Sequence, residues 1–133
     1  MILTLKNIKK LIKASFESQE YAYSPYSGFK VGAAILTRSG KIFKGANIEC
    51  ASFSLTLCAE RTVTGKAVSE GYNDIAAIAI STNKNYYAFP CGACRQFLSE
   101  FNPELKIILA KSLTDYKIFN LKELLPNNFT LKP

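Results

Sequence analysis

Ile75-Ala76-Ala77-Ile78-Ala79-Ile80 is an unbroken apolar run, and its reading decides the fold. A strand with one wet face would alternate apolar and polar side chains. A continuous run bounded by polar turns is what a strand buried on both faces requires. On its upstream side, Cys58 to Glu70 reads as a helix, with Gly71 suited to its end. Downstream, Cys91 to Phe101 reads as a second helix and Lys106 to Ala110 as another strand. Farther out, Leu5, Ile8, Leu11, Ile12 and Phe16 recur at helical spacing, so a helix is expected from Leu5 to about Ala22. Tyr23 to Gly28, Y-S-P-Y-S-G, breaks it with proline and glycine. Phe29 to Leu36 and Ile42 to Glu49 read as strands joined by a hairpin turn at Arg38 to Lys41. A fifth strand is expected near Tyr116 to Phe119 and a last helical turn at Leu121 to Leu125. The order α-β-β-α-β-α-β-β places the chain in the α/β class, with helices packed on the faces of a central sheet.

The chain has 133 residues, 48% of them hydrophobic, and reads as one domain, 1–133, with enough apolar surface for a core. Apolar runs stay well short of the ~20 residues a membrane span needs. At the N-terminus, lysines are mixed into the apolar positions of M-I-L-T-L-K-N-I-K-K-L-I-K, which is not the pattern of a secretion signal. A cytoplasmic location is the expectation. The net charge of +7 invites a nucleic-acid reading. Against it, the lysines are scattered, with no arginine-rich or aromatic-interleaved block. A biased background composition is the plainer account, and nucleic acid is not the expected partner.

The chain has no histidine and four cysteines: Cys50, Cys58, Cys91 and Cys94. In a reducing compartment such cysteines point to metal or redox chemistry rather than disulfides. Cys58 and Cys91 both fall at helix starts, where the backbone stabilises negative charge and lowers thiol pKa. The three-place spacing of Cys91 and Cys94 puts both sulfurs on one side of the first turn. Three thiolates could share a Zn²⁺ and leave its fourth position open, the mark of a catalytic zinc site. Glu60 stands two residues from Cys58, near such a metal without needing to ligate it. A carboxylate there can take a proton from water activated by the metal and return it to a substrate. Three thiolates make zinc a weaker Lewis acid, and a nearby cation would offset this. Arg61 and Arg95 are both candidates, each with a surface ion pair as its plainer role. Two other readings compete: a closed structural Cys₄ site with Cys50 as fourth ligand, and a C-x-x-C redox protein, which leaves Cys58 and Glu60 without a role.

C-A-E-R (58–61) followed by P-C-G-A-C-R-Q (90–96) resembles the cytidine deaminases that act on free nucleosides, in their three-cysteine branch. So do Y-S-P-Y-S-G-F-K-V-G-A-A, G-A-N-I-E and K-A-V-S-E-G-Y, and together these blocks span most of the chain. The resemblance implies a three-layer sandwich with a central five-stranded mixed sheet flanked by helices. It implies one Zn²⁺ per subunit on Cys58, Cys91 and Cys94, with Glu60 moving protons. The implied reaction is hydrolytic deamination of cytidine and deoxycytidine to uridine and deoxyuridine with release of ammonia, in pyrimidine salvage. A homotetramer with active sites at subunit interfaces is implied too.

Asn47 and Glu49 lie two apart on an expected strand, so an amide and a carboxylate share one face, which suits a sugar hydroxyl pair. A solvent-facing polar pair is the plainer account; the resemblance places N-I-E at the ribose 3′ side. By the same resemblance Phe29 stacks on the pyrimidine ring, where a core aromatic is the ordinary role. The backbone N–H of Ala59 binds the base carbonyl, and Pro90 walls the pocket near the leaving amine. Phe129 matches an aromatic that, in tetrameric members, reaches a neighbouring subunit's site; a frayed tail is the alternative. Two further activities stay open: deamination of another aminopyrimidine nucleoside, and cytosine deamination in a polynucleotide, which needs a basic groove and an open pocket.

Overall fold

The Ile75–Ile80 run lies in β3, Ile75–Thr82, the central strand of one five-stranded sheet. The structure is a computed structural model describing residues 3–131, so the first two and last two residues of the expected domain lie outside the described residues. The other strands are β1 (Val31–Thr37), β2 (Ile42–Ala46), β4 (Lys106–Ala110) and β5 (Tyr116–Asn120), in the order β2-β1-β3-β4-β5. The helices are α1 (Leu5–Ser18), α2 (Ala59–Ser69), α3 (Gly92–Phe101) and the single turn α4 (Leu121–Leu124). β3 and β4 run parallel, with α3 as their crossover; the remaining neighbours are antiparallel, so the sheet is mixed.

Alternation in β3 explains its continuous hydrophobicity. Ile78 and Ile80 enter a core with Val31, Ala33, Ile35, Ile107 and Leu109, against Val63 of α2 and Leu98 of α3. Ala77 and Ala79 enter a second core with Ala34, Leu36, Ile108 and Ala110, against Ile8, Leu11 and Ile12 of α1. The chain is therefore three-layered: α1, the sheet, then α2 and α3. Small residues on the α1 side let that helix approach closely. At Gly32 a β-carbon would stand 1.8 Å from the Ser15 carbonyl oxygen. Serines of α1 complete the contact: Ser15 Oγ bonds Ser81 Oγ at 2.9 Å and Ser18 Oγ donates to the Gly45 carbonyl at 2.9 Å.

The expected elements all form, with shifted ends. α1 stops at Ser18 and tightens into a 3-10 turn over Gln19–Tyr21. β1 begins at Val31 rather than Phe29, and β2 ends at Ala46 rather than Glu49. In both places an asparagine side chain replaces a backbone partner in the ladder. A second 3-10 turn, Phe53–Leu55, forms where no periodic pattern announces it. Cys58 and Cys91 are not the first helical residues but the N-caps of α2 and α3.

Candidate metal and substrate site

An N-cap side chain ordinarily accepts a hydrogen bond from the first turn, as Thr4 does from Asn7 N at 3.1 Å in α1. Cys58 and Cys91 make no such bond, so their sulfurs are free to face elsewhere. They face each other, with Sγ atoms 3.8 Å apart. Cys94, buried in the first turn of α3, completes a trio whose sulfurs all lie within 4.8 Å of one another. The α2 and α3 entrances bring together residues 33 or more positions apart in sequence.

The trio is short of positive charge. The hydrogen bond with Cys94 pulls the Cys58 thiol down to about 5, against the opposing effect of burial, with Arg61 and Cys91 adding to the fall. Cys94 moves the other way, upward, because it shares that hydrogen bond with Cys58, is buried and faces Glu60. Ionised together, three sulfurs this close would repel one another. A divalent cation would relieve this. Zinc–sulfur bonds put two sulfurs of a tetrahedral site about 3.8 Å apart, the separation seen between Cys58 and Cys91. Soft thiolates at this spacing fit zinc. Among the described residues Cys50 is not part of the cluster; its N–H donates to Thr56 Oγ1 at 3.1 Å. A closed four-cysteine site is therefore not built.

Glu60, in the first turn of α2, is buried at 5% exposure. Burial raises its carboxyl pKa to about 7, and the negative charge of Cys58 adds to the rise. Arg61 Nη2 stands 3.5 Å from Cys58 Sγ and 3.4 Å from the Thr56 carbonyl, while its buried Nε has no protein partner. Its guanidinium is held further above its ordinary pKa by Cys58 and Cys94. Arg95 does not share this role. Its Nε donates to the Pro90 carbonyl and its Nη1 to the Leu124 carbonyl, both at 2.7 Å. The expectation for Arg95 beside the thiolates is corrected: it ties the entrance of α3 to α4.

A cleft of about 320 Å³ opens onto Cys58, Cys91 and Glu60. Phe29, Asn47, Glu49 and Ala59, read above as substrate contacts, line it. Pro90 does not; it is buried. Phe129 also lies outside the cleft of its own chain, 70% exposed, with its carbonyl accepting from Gln96 Nε2 at 2.9 Å. The polar pair is more engaged than its spacing suggests. The Asn47 amide accepts from Val31 N at 3.0 Å and donates to the Phe29 carbonyl at 2.7 Å. Glu49 accepts from the N–H groups of Tyr26 and Ser27, each at 3.1 Å, and from the Ser27 hydroxyl. That hydroxyl holds the Glu49 carboxyl below its ordinary pKa. Tyr86, Phe89 and Thr56 line the cleft unforeseen. The Tyr86 ring lies parallel to Phe29, 4° between planes and 6.1 Å between centroids. The only sequence signal for this lip was the aromatic stretch Y-Y-A-F before Pro90.

The comparisons with known proteins agree with this geometry. The family described as "Cytidine and deoxycytidylate deaminase zinc-binding region" matches residues 5–110. The cytidine deaminase of Halalkalibacterium halodurans is 47% identical over 121 residues, covering 90% of this chain and 92% of that protein. That of Mycoplasma genitalium is 38% identical over 125 residues, covering 92% and 95%. The crystal structure of cytidine deaminase from Burkholderia pseudomallei superposes with a TM-score of 0.85 at 43% identity, covering 90% of this chain and 97% of that one. A three-sulfur cluster beside a buried glutamate, on this sheet and across this much of the chain, leads to one conclusion: the chain belongs to the cytidine and deoxycytidylate deaminase family.

Proposed function

We propose that this chain is a zinc-dependent hydrolase that deaminates cytidine and deoxycytidine to uridine and deoxyuridine, releasing ammonia. The observation that carries the reading is the meeting of Cys58, Cys91 and Cys94 within 4.8 Å, in a cleft that also exposes the buried Glu60. Zinc held by the three sulfurs would supply a Lewis acid and a nucleophilic water near neutral pH. Glu60 takes a proton from the attacking water and delivers it to ring N3. It then takes the remaining proton from the hydroxyl now on C4 and passes it to the 4-amino group, which leaves as ammonia as the C4–N bond breaks and the carbonyl forms, so one carboxylate serves as base and acid in turn. Phe29 offers a face for the base, and the Ala59 N–H at the start of α2 meets the base carbonyl.

Asn47 and Glu49 each keep one position for a sugar hydroxyl. A carboxylate offers about four lone-pair sites, and Tyr26, Ser27 N and Ser27 Oγ use three of those on Glu49. The Asn47 amide donates one of its two hydrogens to Phe29, leaving the other. Two such positions at one end of the cleft suit the hydroxyls of a free nucleoside. The active form is a homotetramer, a reading supported by exposed aromatic side chains: Phe89 on the cleft, and Tyr26 and Phe53 on the adjoining pocket that shares Glu49 and Thr56 with it.

The test is Glu60→Gln, assayed by the ultraviolet change from cytidine to uridine alongside zinc content per chain. Zinc is expected to stay at one per chain while kcat falls by about 10²–10⁴-fold. A variant that turns over cytidine at near-parental rate would overturn the role of Glu60.

A further inference from the structure

The segment before β1 carries Phe29 but belongs to no strand. It is nonetheless held in extended form, by the same device on both sides. On the β2 side, Asn47 N donates to the Val31 carbonyl at 3.2 Å. Its Oδ1 accepts from Val31 N at 3.0 Å, and its Nδ2 donates to the Phe29 carbonyl at 2.7 Å. On the β3 side, Asn83 repeats the pattern one residue earlier. Asn83 N donates to the Lys30 carbonyl, Oδ1 accepts from Lys30 N, and Nδ2 donates to the Gly28 carbonyl, each at 3.0 Å.

In both cases the asparagine side chain stands in for its own backbone carbonyl and then reaches two residues further back. The antiparallel register explains the site: Gly32 pairs with Ala46 and Val31 with Thr82, so Asn47 and Asn83 are the next residues on either flank. Only an amide carries both the acceptor and the donor this needs at one short side chain. Gly28 has a φ of 69°, a left-handed conformation that marks where the clamped segment leaves its turn. Without Asn83, the Gly28 carbonyl and the Lys30 N–H lose their partners, and Phe29 is fixed from one side only.

We propose that Asn83 is a positioning residue for the substrate base, paired with Asn47 in a two-sided amide clamp on the Phe29 segment. The inference rests on the reading of Phe29 as the face on which the base lies. Asn83 touches no substrate; it acts through where it holds that ring. Stacking on a fixed ring aids ground state and transition state alike, so its loss belongs in binding rather than turnover.

The test is a double-mutant cycle in zinc-loaded enzyme, with KM and kcat for cytidine and the dissociation constant of uridine by calorimetry. Asn83→Ala is expected to raise KM and the uridine dissociation constant about fivefold, with kcat within about twofold of the parent. In a Phe29→Ala background, adding Asn83→Ala is expected to change either constant by less than about twofold, because the two act as one unit. Full additivity in that background, a fall in kcat at unchanged KM, or no effect of Asn83→Ala overturns the proposal while leaving Phe29 as the base platform. Parental constants in Phe29→Ala itself remove that platform, and the proposal with it.

Discussion

Arg61 and Arg95 occupy similar places near the entrances of their helices, yet their guanidinium groups do different work. Helical side chains lean toward the N-terminus, which carries Arg61 back one turn onto Cys58. Arg95 is drawn instead by two carbonyls, those of Pro90 and Leu124. A cation 3.5 Å from a thiolate withdraws charge from it and stabilises a metal complex that would otherwise carry excess negative charge. Arg61→Ala is therefore expected to weaken zinc binding about 10–100-fold in competition with a chromophoric chelator. Arg95→Ala should leave zinc affinity near the parental value. Equal losses in the two variants would mean that Arg61 has no special claim on the sulfurs. The sulfurs themselves and Glu60 were legible from spacing, because an N-cap and a first turn fix direction within a few residues. Which arginine meets them was not, since that depends on partners up to 29 positions away. Asn83 was illegible for a related reason: it sits in an irregular loop with no period to mark it.

The elements themselves were legible because burial on both faces leaves a strong imprint: an all-apolar β3 and a helical repeat in α1. Their ends were not, because Asn47 and Asn83 substitute side-chain amides for ladder partners, and no pattern distinguishes such an asparagine from a turn residue. Close approach between elements is written in glycine, and two glycines should respond in opposite ways. At Gly32 a β-carbon would meet the backbone of Ser15, with its oxygen at 1.8 Å, so no rotamer change relieves it and α1 must move. Gly65 lies within α2 with nothing within 4 Å of its added carbon. Gly32→Ala should cost about 3 kcal/mol, at the upper end of overpacking effects. Gly65→Ala should gain about 0.5–1 kcal/mol from helix propensity alone. Urea unfolding midpoints decide both. A Gly32→Ala protein as stable as the parent would show that α1 is not docked on β1 as closely as described.

On the scale of the whole molecule, the surface is more telling than the charge. The lysines behind the +7 balance are spread along the chain, which is a poor basis for a polynucleotide groove. Exposed apolar side chains, by contrast, include Phe89 on the cleft and Tyr26 and Phe53 on the pocket that adjoins it, Phe53 at 74% exposure. Patches of this kind mark surfaces that pack against another protein. On the proposed homotetramer a second copy of this chain would be the occupant and would give Phe129 a purpose, since it does not reach the cleft of its own chain. Light scattering should then return four times the 14.7 kDa chain mass. Phe129→Ala should raise KM for cytidine with zinc content unchanged. The decisive experiment mixes two crippled chains by co-expression, Phe129→Ala and Glu60→Gln. In a mixed oligomer a cleft with intact Glu60 can border a neighbour's intact Phe129, so a fraction of sites should regain the parental KM. Each chain expressed alone should show none. A monomeric mass, or a mixture whose kinetics are the plain average of the two variants, would mean that each cleft works without its neighbour.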